Sequence, residues 1–327
     1  VAEREITIEA IAKRLGVSTA TVSYALTGRG RVSQKRVEEI QAIAAEMGYV
    51  PSHAGRSLRT GRSALVGLVV PNITNPIFPS LAQEIESELY HRGFGVLLAD
   101  SHNNEGRQNE AILHLAARGA GSVIVIPCHG SAVPDMSIPT VIIDSAETPG
   151  NAVASDHHAG GRLMAEHLLT LGHRNILLLA GPTRSRVAQL RAEGLRSRFA
   201  EASGVDVSVH HSGYGVAAGS LGTQQNWQLA MTAVAAVSDT LAIGALKALS
   251  QRGVNVPGEV SVTGFDDTVW AELVTPALTS VHQDVQTIAV EAVRIALGER
   301  KPGVIVPMSI AERASSANAP PTTLNKG

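Results

Sequence analysis

The sequence predicts a small all-α helix-turn-helix head followed by a larger α/β body built on parallel sheets, and three observations carry that expectation. Residues 7–48 hold three short apolar-periodic segments that follow Thr7, Ser18 and Ser33, residue types that cap helices. From Ser63 onward, strand-sized apolar runs alternate with helical stretches, the pattern of a parallel sheet covered by helices. Charge divides at the same place: residues 1–62 carry 10 Lys/Arg and 6 Asp/Glu, a net +4, whereas the remainder is −6. A basic head on an acidic body is expected where only the head meets a polyanion.

The first helix places Ile8, Ile11, Ala12 and Leu15 on one face, with Glu9 at the positive end of its dipole, and Gly16-Val17 ends it. A second helix, Thr19–Leu26, follows Ser18 and turns Val22 and Leu26 inward. Two such helices joined by a tight glycine-containing turn form a helix-turn-helix. The outer side of the second carries Thr19, Ala20, Ser23 and Tyr24, with Ser18 and Thr21 at its start. Short hydroxyl side chains and helix N-terminal amides suit phosphate contact. Residues at the start and on the outer face (Thr19, Ala20, Tyr24) are placed to reach base edges. A third helix after Ser33 turns Val37, Ile40, Ala44 and Met47 inward and stops at Gly48.

Pro51 then prevents continuation of that helix, and Ser52 can start a short new one. Here the chain closely resembles the lactose-repressor (LacI/GalR) family. The matching residues are Thr7-Ile8-x-x-Ile11-Ala12, Gly16-Val17-Ser18-x-x-Thr21-Val22-Ser23 and Tyr49-x-Pro51-x-x-x-x-Arg56-Ser57-Leu58, and the likeness runs from about Ile6 to about Arg313. The resemblance implies a hinge helix over about 52–58 that folds only on operator DNA, with Leu58 inserted between base pairs in the minor groove. It places Thr7, Ser52 and Gly55 with the DNA-facing residues. An isolated helix of about seven residues is too short to be stable in water. Gly55 stands where the family usually has Ala, at a cost of about 1 kcal/mol in a helix interior.

In the body, Ala64–Val70, Gly95–Leu98, Ser122–Ile126, Thr140–Ile143, Ile176–Leu179, Ala233–Val237 and Val260–Thr263 read as buried parallel strands. Between them stand helices such as Pro79–Arg92, His158–Leu171, Thr240–Gln251 and Asp284–Leu297. About 265 residues of this pattern predict two sheets, hence two lobes with a cleft. Open parallel sheets bind ligands at the carboxyl ends of their strands. The resemblance implies a periplasmic-binding-protein-like body. Its supporting motifs are Asn75-Pro76-x-Phe78, Gly172-His173-Arg174-x-Ile176, Ser238-Asp239-x-x-Ala242-x-Gly244 and Gly264-Phe265-Asp266-Asp267. It sets Phe78, Asp144, Arg191, Tyr214, Ser238 and Asp266 where relatives contact their effector. Carboxylates and one Arg beside aromatic faces suit a polyol, because bidentate side chains pair with vicinal hydroxyls. Ser238 departs from the Asn usual in relatives.

Other signals argue against catalysis and cofactors. Gly213-Tyr214-Gly215 with Gly219 imitates a dinucleotide fingerprint, but its last glycine is one place late and no acid sits convincingly about 20 residues on. The chain has neither a GxxxxGK[ST] phosphate loop nor a GxSxG elbow. Cys128 beside His129 reads as adjacent residues of a strand facing opposite ways, not as a nucleophile pair. His157-His158 and His210-His211 read as surface pairs, and no Cys/His cluster has metal-ligand spacing.

The expectation is therefore a non-enzymatic regulator without metal or cofactor, divided into a DNA-binding unit at 1–62 and an effector-binding, dimerising unit at 63–327. Its partners would be pseudo-palindromic double-stranded operator DNA, a sugar-like effector and a second copy of itself. One cysteine, the charged start at Glu3-Arg4-Glu5 and apolar runs too short to span a bilayer predict a cytoplasmic protein. Ala314–Gly327, with one Leu and two adjacent Pro, is not expected to form the helical tail of tetrameric relatives. The alternative is a solute-binding protein with no regulatory role, against which stand the basic head and hinge.

Overall fold

The computed structural model describes residues 6–27, 32–49, 63–144 and 148–321, and the chain divides into two compact units, Val1–Ser63 and Ala64–Gly327. In the first unit, helix α1 (Ile8–Leu15) opens where the Thr7 hydroxyl accepts from the Ala10 amide. It closes on Gly16, whose φ of 60° is the left-handed conformation that ends helices. Helix α2 (Thr19–Thr27) opens on Ser18, whose Oγ accepts from the Thr21 amide at 3.1 Å. Ser33 occupies the cap position of α3 (Gln34–Glu46), but its side chain makes no capping bond there. Ile11, Ala12, Val22, Ala25, Ile40 and Ala44 form the core of this unit. Arg14 pairs with Glu46 at 2.7 Å, and Arg36 donates to the Leu15 carbonyl at 3.3 Å, fastening α3 to α1.

The second unit contains two six-stranded sheets. The first is built from β1 (Leu65–Val70), β2 (Gly95–Asp100), β3 (Ser122–Val125), β4 (Thr140–Asp144), β5 (Asn151–Ser155) and β11 (Val304–Val306). Its order is β11-β5-β4-β3-β1-β2 and every pairing is parallel. Helices α4 (Ile77–His91), α5 (Glu105–Ala117) and α11 (Val285–Ala296) pack on it. The second sheet is built from β6 (Asn175–Gly181), β7 (Asp206–His211), β8 (Ala233–Ala236), β9 (Ser261–Asp266), β10 (Thr279–Gln283) and β12 (Met308–Ala311), in the order β12-β10-β9-β8-β6-β7. Only β12 runs antiparallel. Helices α6 (His157–Thr170), α7 (Arg186–Ala200), α8 (Val216–Asn226), α9 (Asp239–Gln251) and α10 (Val269–Leu273) accompany this sheet.

The chain passes between the lobes three times, at Asp156, Asp284 and Pro307. The Asp156 amide donates to the Val306 carbonyl at 3.0 Å, and Ser155 Oγ donates to Gln283 Oε1 at 3.0 Å, so the crossings are bonded to one another. Residues 314–321 run without a helix along the second lobe, where Ser315 Oγ donates to the Val262 carbonyl and the Ala317 amide to Ser261 Oγ.

Helices α6 and α7 touch through glycine. A Cβ on Gly161 would lie 2.2 Å from the Arg191 carbonyl oxygen, and one on Gly194 would lie 2.1 Å from that of His158. Any side chain would push the two backbones apart, and α7 is the helix that carries Arg191.

Three sequence expectations change. Cys128–Gly130 is a turn of 3₁₀ helix, not strand, and His129 adopts φ 53° within it. His157 is buried, not superficial, because it lies beneath the Arg191 guanidinium. Strands β5, β7, β10, β11 and β12 were not anticipated. β10 reads as polar because its buried Thr279 and Ser280 find hydrogen-bond partners far away in the chain.

Candidate ligand cleft and nucleic-acid interface

Between the two lobes lies a cavity of about 600 Å³, lined by the carboxyl ends of both sheets. Its base is one buried charge pair. Arg191 Nη1 stands 2.8 Å from Asp266 Oδ1, and both side chains are 5% exposed. The same nitrogen donates to the Val237 carbonyl at 2.8 Å, and the guanidinium lies 4.0 Å over the Phe265 ring. A buried charge is tolerated only when paired and hydrogen-bonded, and Arg191 meets both conditions. Asp266 in turn accepts from Gln283 Nε2 at 2.7 Å. Gln283 thus connects the pair to Ser155 and two of the lobe crossings.

Burial raises the Asp266 carboxyl above its ordinary range, against the opposing pull of Arg191 and Gln283. Burial and the adjacent Arg191 hold His157 well below the usual histidine range. Its neutral Nδ1 can therefore accept from Arg191 Nε at 3.3 Å. Asp266 has φ 104° and Asp267 φ 54°, unusual for non-glycine residues. Strain of this kind, about 1–3 kcal/mol per residue, clusters at functional sites.

The first lobe contributes Phe78, Asp144 and His129. Asp144 accepts from Thr148 Oγ1, and its amide donates to Asn151 Oδ1 at 3.0 Å. The His129 ring faces Tyr214 of the second lobe with planes 9° apart and centroids 6.4 Å apart. Burial and Arg184 lower its basicity. Five of the six residues placed at the effector site by sequence (Phe78, Asp144, Arg191, Tyr214 and Asp266) line this cavity. Ser238 does not line it: its hydroxyl caps α9, accepting from the Leu241 amide at 3.3 Å, and Thr240 faces the cavity in its place. His129, His157, Gln283 and Trp270 also line it and had no signal in the sequence. They come from a turn, two lobe crossings and a short helix, each brought in by tertiary structure. Among the described residues no group of three His, Cys, Asp or Glu side chains gathers as metal ligands.

On the first unit, Thr7, Ser18, Thr19, Ala20 and Tyr24 are exposed, and Thr21 and Ser23 are half-buried. Ser18 Oγ and Thr21 Oγ1 lie 2.8 Å apart at the start of α2. Ser52, Gly55 and Leu58 lie outside the described residues. No helix among the described residues is long and apolar enough to cross a membrane.

A helix-turn-helix unit followed by a two-lobed cleft defines a class, the DNA-binding regulator with a ligand-binding body. The description "Bacterial regulatory proteins, lacI family" matches residues 7–52, and "Periplasmic binding protein-like domain" matches residues 165–316. The chain is 32% identical over 335 residues to the HTH-type transcriptional regulator MalR of Streptomyces coelicolor, covering 95% of this chain and 96% of that one. It is 29% identical to the HTH-type transcriptional regulator GalR of Escherichia coli, covering 89% and 88%. A structure of the Lac repressor dimer bound to operator and the anti-inducer ONPF superposes with a TM-score of 0.84 at 26% identity, covering 96% of this chain and all of that one. The chain belongs to the LacI family of bacterial DNA-binding transcriptional regulators.

Proposed function

We propose that this regulator is a repressor whose cleft takes an uncharged, sugar-like polyol, and whose head binds a pseudo-palindromic operator as a homodimer. The carrying observation is the charge count at the base of the cleft. Arg191 is neutralised by Asp266, His157 is neutral, and Asp144 adds a carboxylate. Among the described lining residues Arg191 is the one Lys or Arg, and it is already paired, with Arg184 acting on His129 from outside the lining. Paired acceptors and donors suit vicinal hydroxyls. The facing rings of His129 and Tyr214 offer flat surfaces to the apolar side of a sugar ring.

In this reading the boundary falls at 62/63, and the segment 52–58 acts as a hinge between reader and sensor. Thr19, Ala20 and Tyr24 read bases, while Thr7, Ser18, Thr21 and Ser23 hold phosphates. Two heads double the contacts and set the half-site spacing. The sheet-edge strand β2, with Leu98 46% exposed, supports a self-pairing surface. The MalR and GalR relatives are named as regulators, which supports a protein without catalytic activity that works in the cytoplasm beside its DNA.

The test combines thermal shift over neutral mono- and disaccharides, sugar phosphates and nucleosides with gel shift on operator fragments. Neutral sugars should raise the melting temperature and change operator affinity. Asp144→Asn should weaken that response while leaving sugar-free DNA binding intact. A response confined to phosphates or nucleosides would overturn the effector class, and absence of sequence-selective DNA binding would overturn the whole reading.

A further inference from the structure

Behind the cleft sits a buried carboxylate that the ligand-binding account leaves unused. Asp239, the first residue of α9, is 1% exposed, and no cation pairs with it among the described residues. Its Oδ2 accepts from the Thr268 amide at 2.7 Å and from Thr268 Oγ1 at 2.9 Å. Its Oδ1 accepts from Ser280 Oγ at 2.6 Å, and Ser280 Oγ itself accepts from the Asp267 amide at 3.0 Å. The carboxylate therefore grips the turn after β9 directly at Thr268 and, through Ser280, at Asp267. Those bonds flank the two positive-φ residues, Asp266 and Asp267. The fit is close, since a Cβ on Gly264 would lie 2.4 Å from Asp239 Oδ1. Strained backbone persists only where its surroundings over-determine it, and these bonds supply that determination.

We propose that Asp239 is a positioning residue for the effector cleft: its ionised carboxylate, through Thr268 and Ser280, holds the β9 turn so that Asp266 faces Arg191 and the ligand. The proposal rests on the cleft being the effector site, but its physical test needs no effector. All three donors on Asp239 require an acceptor-only group. A proton on Oδ1 would compete with the Ser280 hydroxyl hydrogen, and one on Oδ2 would meet two donors at Thr268.

Desolvation, followed by the Asp266 charge, pushes Asp239 up to about 7. The turn should thus loosen as pH falls through neutrality. Other charges near the turn are placed differently. Arg191 pairs with Asp266, and Asp267 is held by Arg313 at 2.7 Å and by His282 at 2.9 Å. His282, half-exposed on β10, is the imidazole that contacts Asp267, so its removal is a control for the Asp239 effect.

Trp270 follows Thr268 by two residues, and Trp227 is the other tryptophan in the chain. Trp227→Phe in the full-length protein makes Trp270 fluorescence a reporter of the turn. The parent should show a fluorescence transition centred near pH 7. Asp239→Asn should abolish it, and His282→Gln should retain it. Thr268→Val, which removes one donor to the charged form, should move the midpoint upward. A crystal structure of Asp239→Asn at pH 8 should show Asp266 withdrawn from Arg191 beyond 4 Å. A transition that survives Asp239→Asn, or an unchanged Arg191–Asp266 pair in that variant, overturns the proposal. If circular dichroism shows that Asp239→Asn fails to fold, Thr268→Val decides, and an unmoved midpoint there overturns it.

Discussion

The two lobes bring different kinds of surface to the cleft they share. The second offers Arg191 and Asp266, deeply buried, joined to each other and fixed by Phe265, Val237, His157 and Gln283. The first offers Phe78, His129 and Asp144, all half-buried. One side is a buried, mutually bonded charge pair, and the other is a half-buried wall with fewer bonds to its neighbours. Preorganisation on one side lowers the ordering cost of binding, and adaptability on the other lets shape be selected. In the proposed reading, the buried polar pair would fix the position of the ligand while the half-buried opposite wall discriminates among ligands.

The contrast is most easily broken at Arg191. Arg191→Met leaves Asp266 buried without its partner, and losing one member of a buried pair costs about 3–5 kcal/mol. Burial already raises Asp266, and without Arg191 it rises further. A carboxyl raised above its unfolded value destabilises the fold increasingly as pH climbs from the unfolded pKa toward the folded one. Unfolding in urea should therefore show a larger deficit at pH 8 than at pH 5. A deficit independent of pH would mean that the pair contributes shape rather than charge.

A smaller effect separates the packing of the lobes. Gly194→Ala presses a methyl against the His158 carbonyl and should cost about 3 kcal/mol, the upper end of overpacking. Gly67→Ala, in the first lobe, meets only side chains of Leu115 and Val123 at 3.1 Å and should cost about 1 kcal/mol. Equal losses in thermal melts would remove the distinction. Smallest of all in stability is His129→Ala, expected within about 0.5 kcal/mol of the parent. Calorimetric titration of that variant with whichever sugar shifts the melting temperature should nonetheless show several-fold weaker binding. Unchanged affinity would make the first-lobe wall passive.

Local signals were the legible ones. Thr7, Ser18, Gly16 and Gly48 set helix ends through their own backbone neighbours, so the head could be read residue by residue. Central strands such as β1 and β8, buried on both faces, announced themselves as apolar runs. Strand β7 lies at a sheet edge with no fully buried residue, and β10 hides its hydroxyls in bonds to Asp239 and the Arg313 carbonyl, so neither carried that mark. At the cleft, Asp266 was expected from the Gly264-Phe265-Asp266-Asp267 motif and Arg191 from the family resemblance, and both line the cavity. Ser238 was misplaced because the capping bond to Leu241 decides its direction. His157 and Gln283 depend on where the chain crosses between lobes, a property of topology that no short window contains.

Those crossings also bear on how the protein is made. The core of the first lobe is completed by Ile288, Ala289, Ala292 and Val293 of α11, and its sheet by β11 at residues 304–306. A ribosome emits the chain from the amino end, and domains generally fold as their residues emerge. This lobe begins at residue 65 but lacks its covering helix until residue 296 has left the exit tunnel. Throughout that interval the apolar face formed by Ile124, Val141 and Val153 has no cover from α11. The earlier-started lobe is therefore finished late, and a nascent chain stalled before residue 285 would be a natural client for a hydrophobic-binding chaperone.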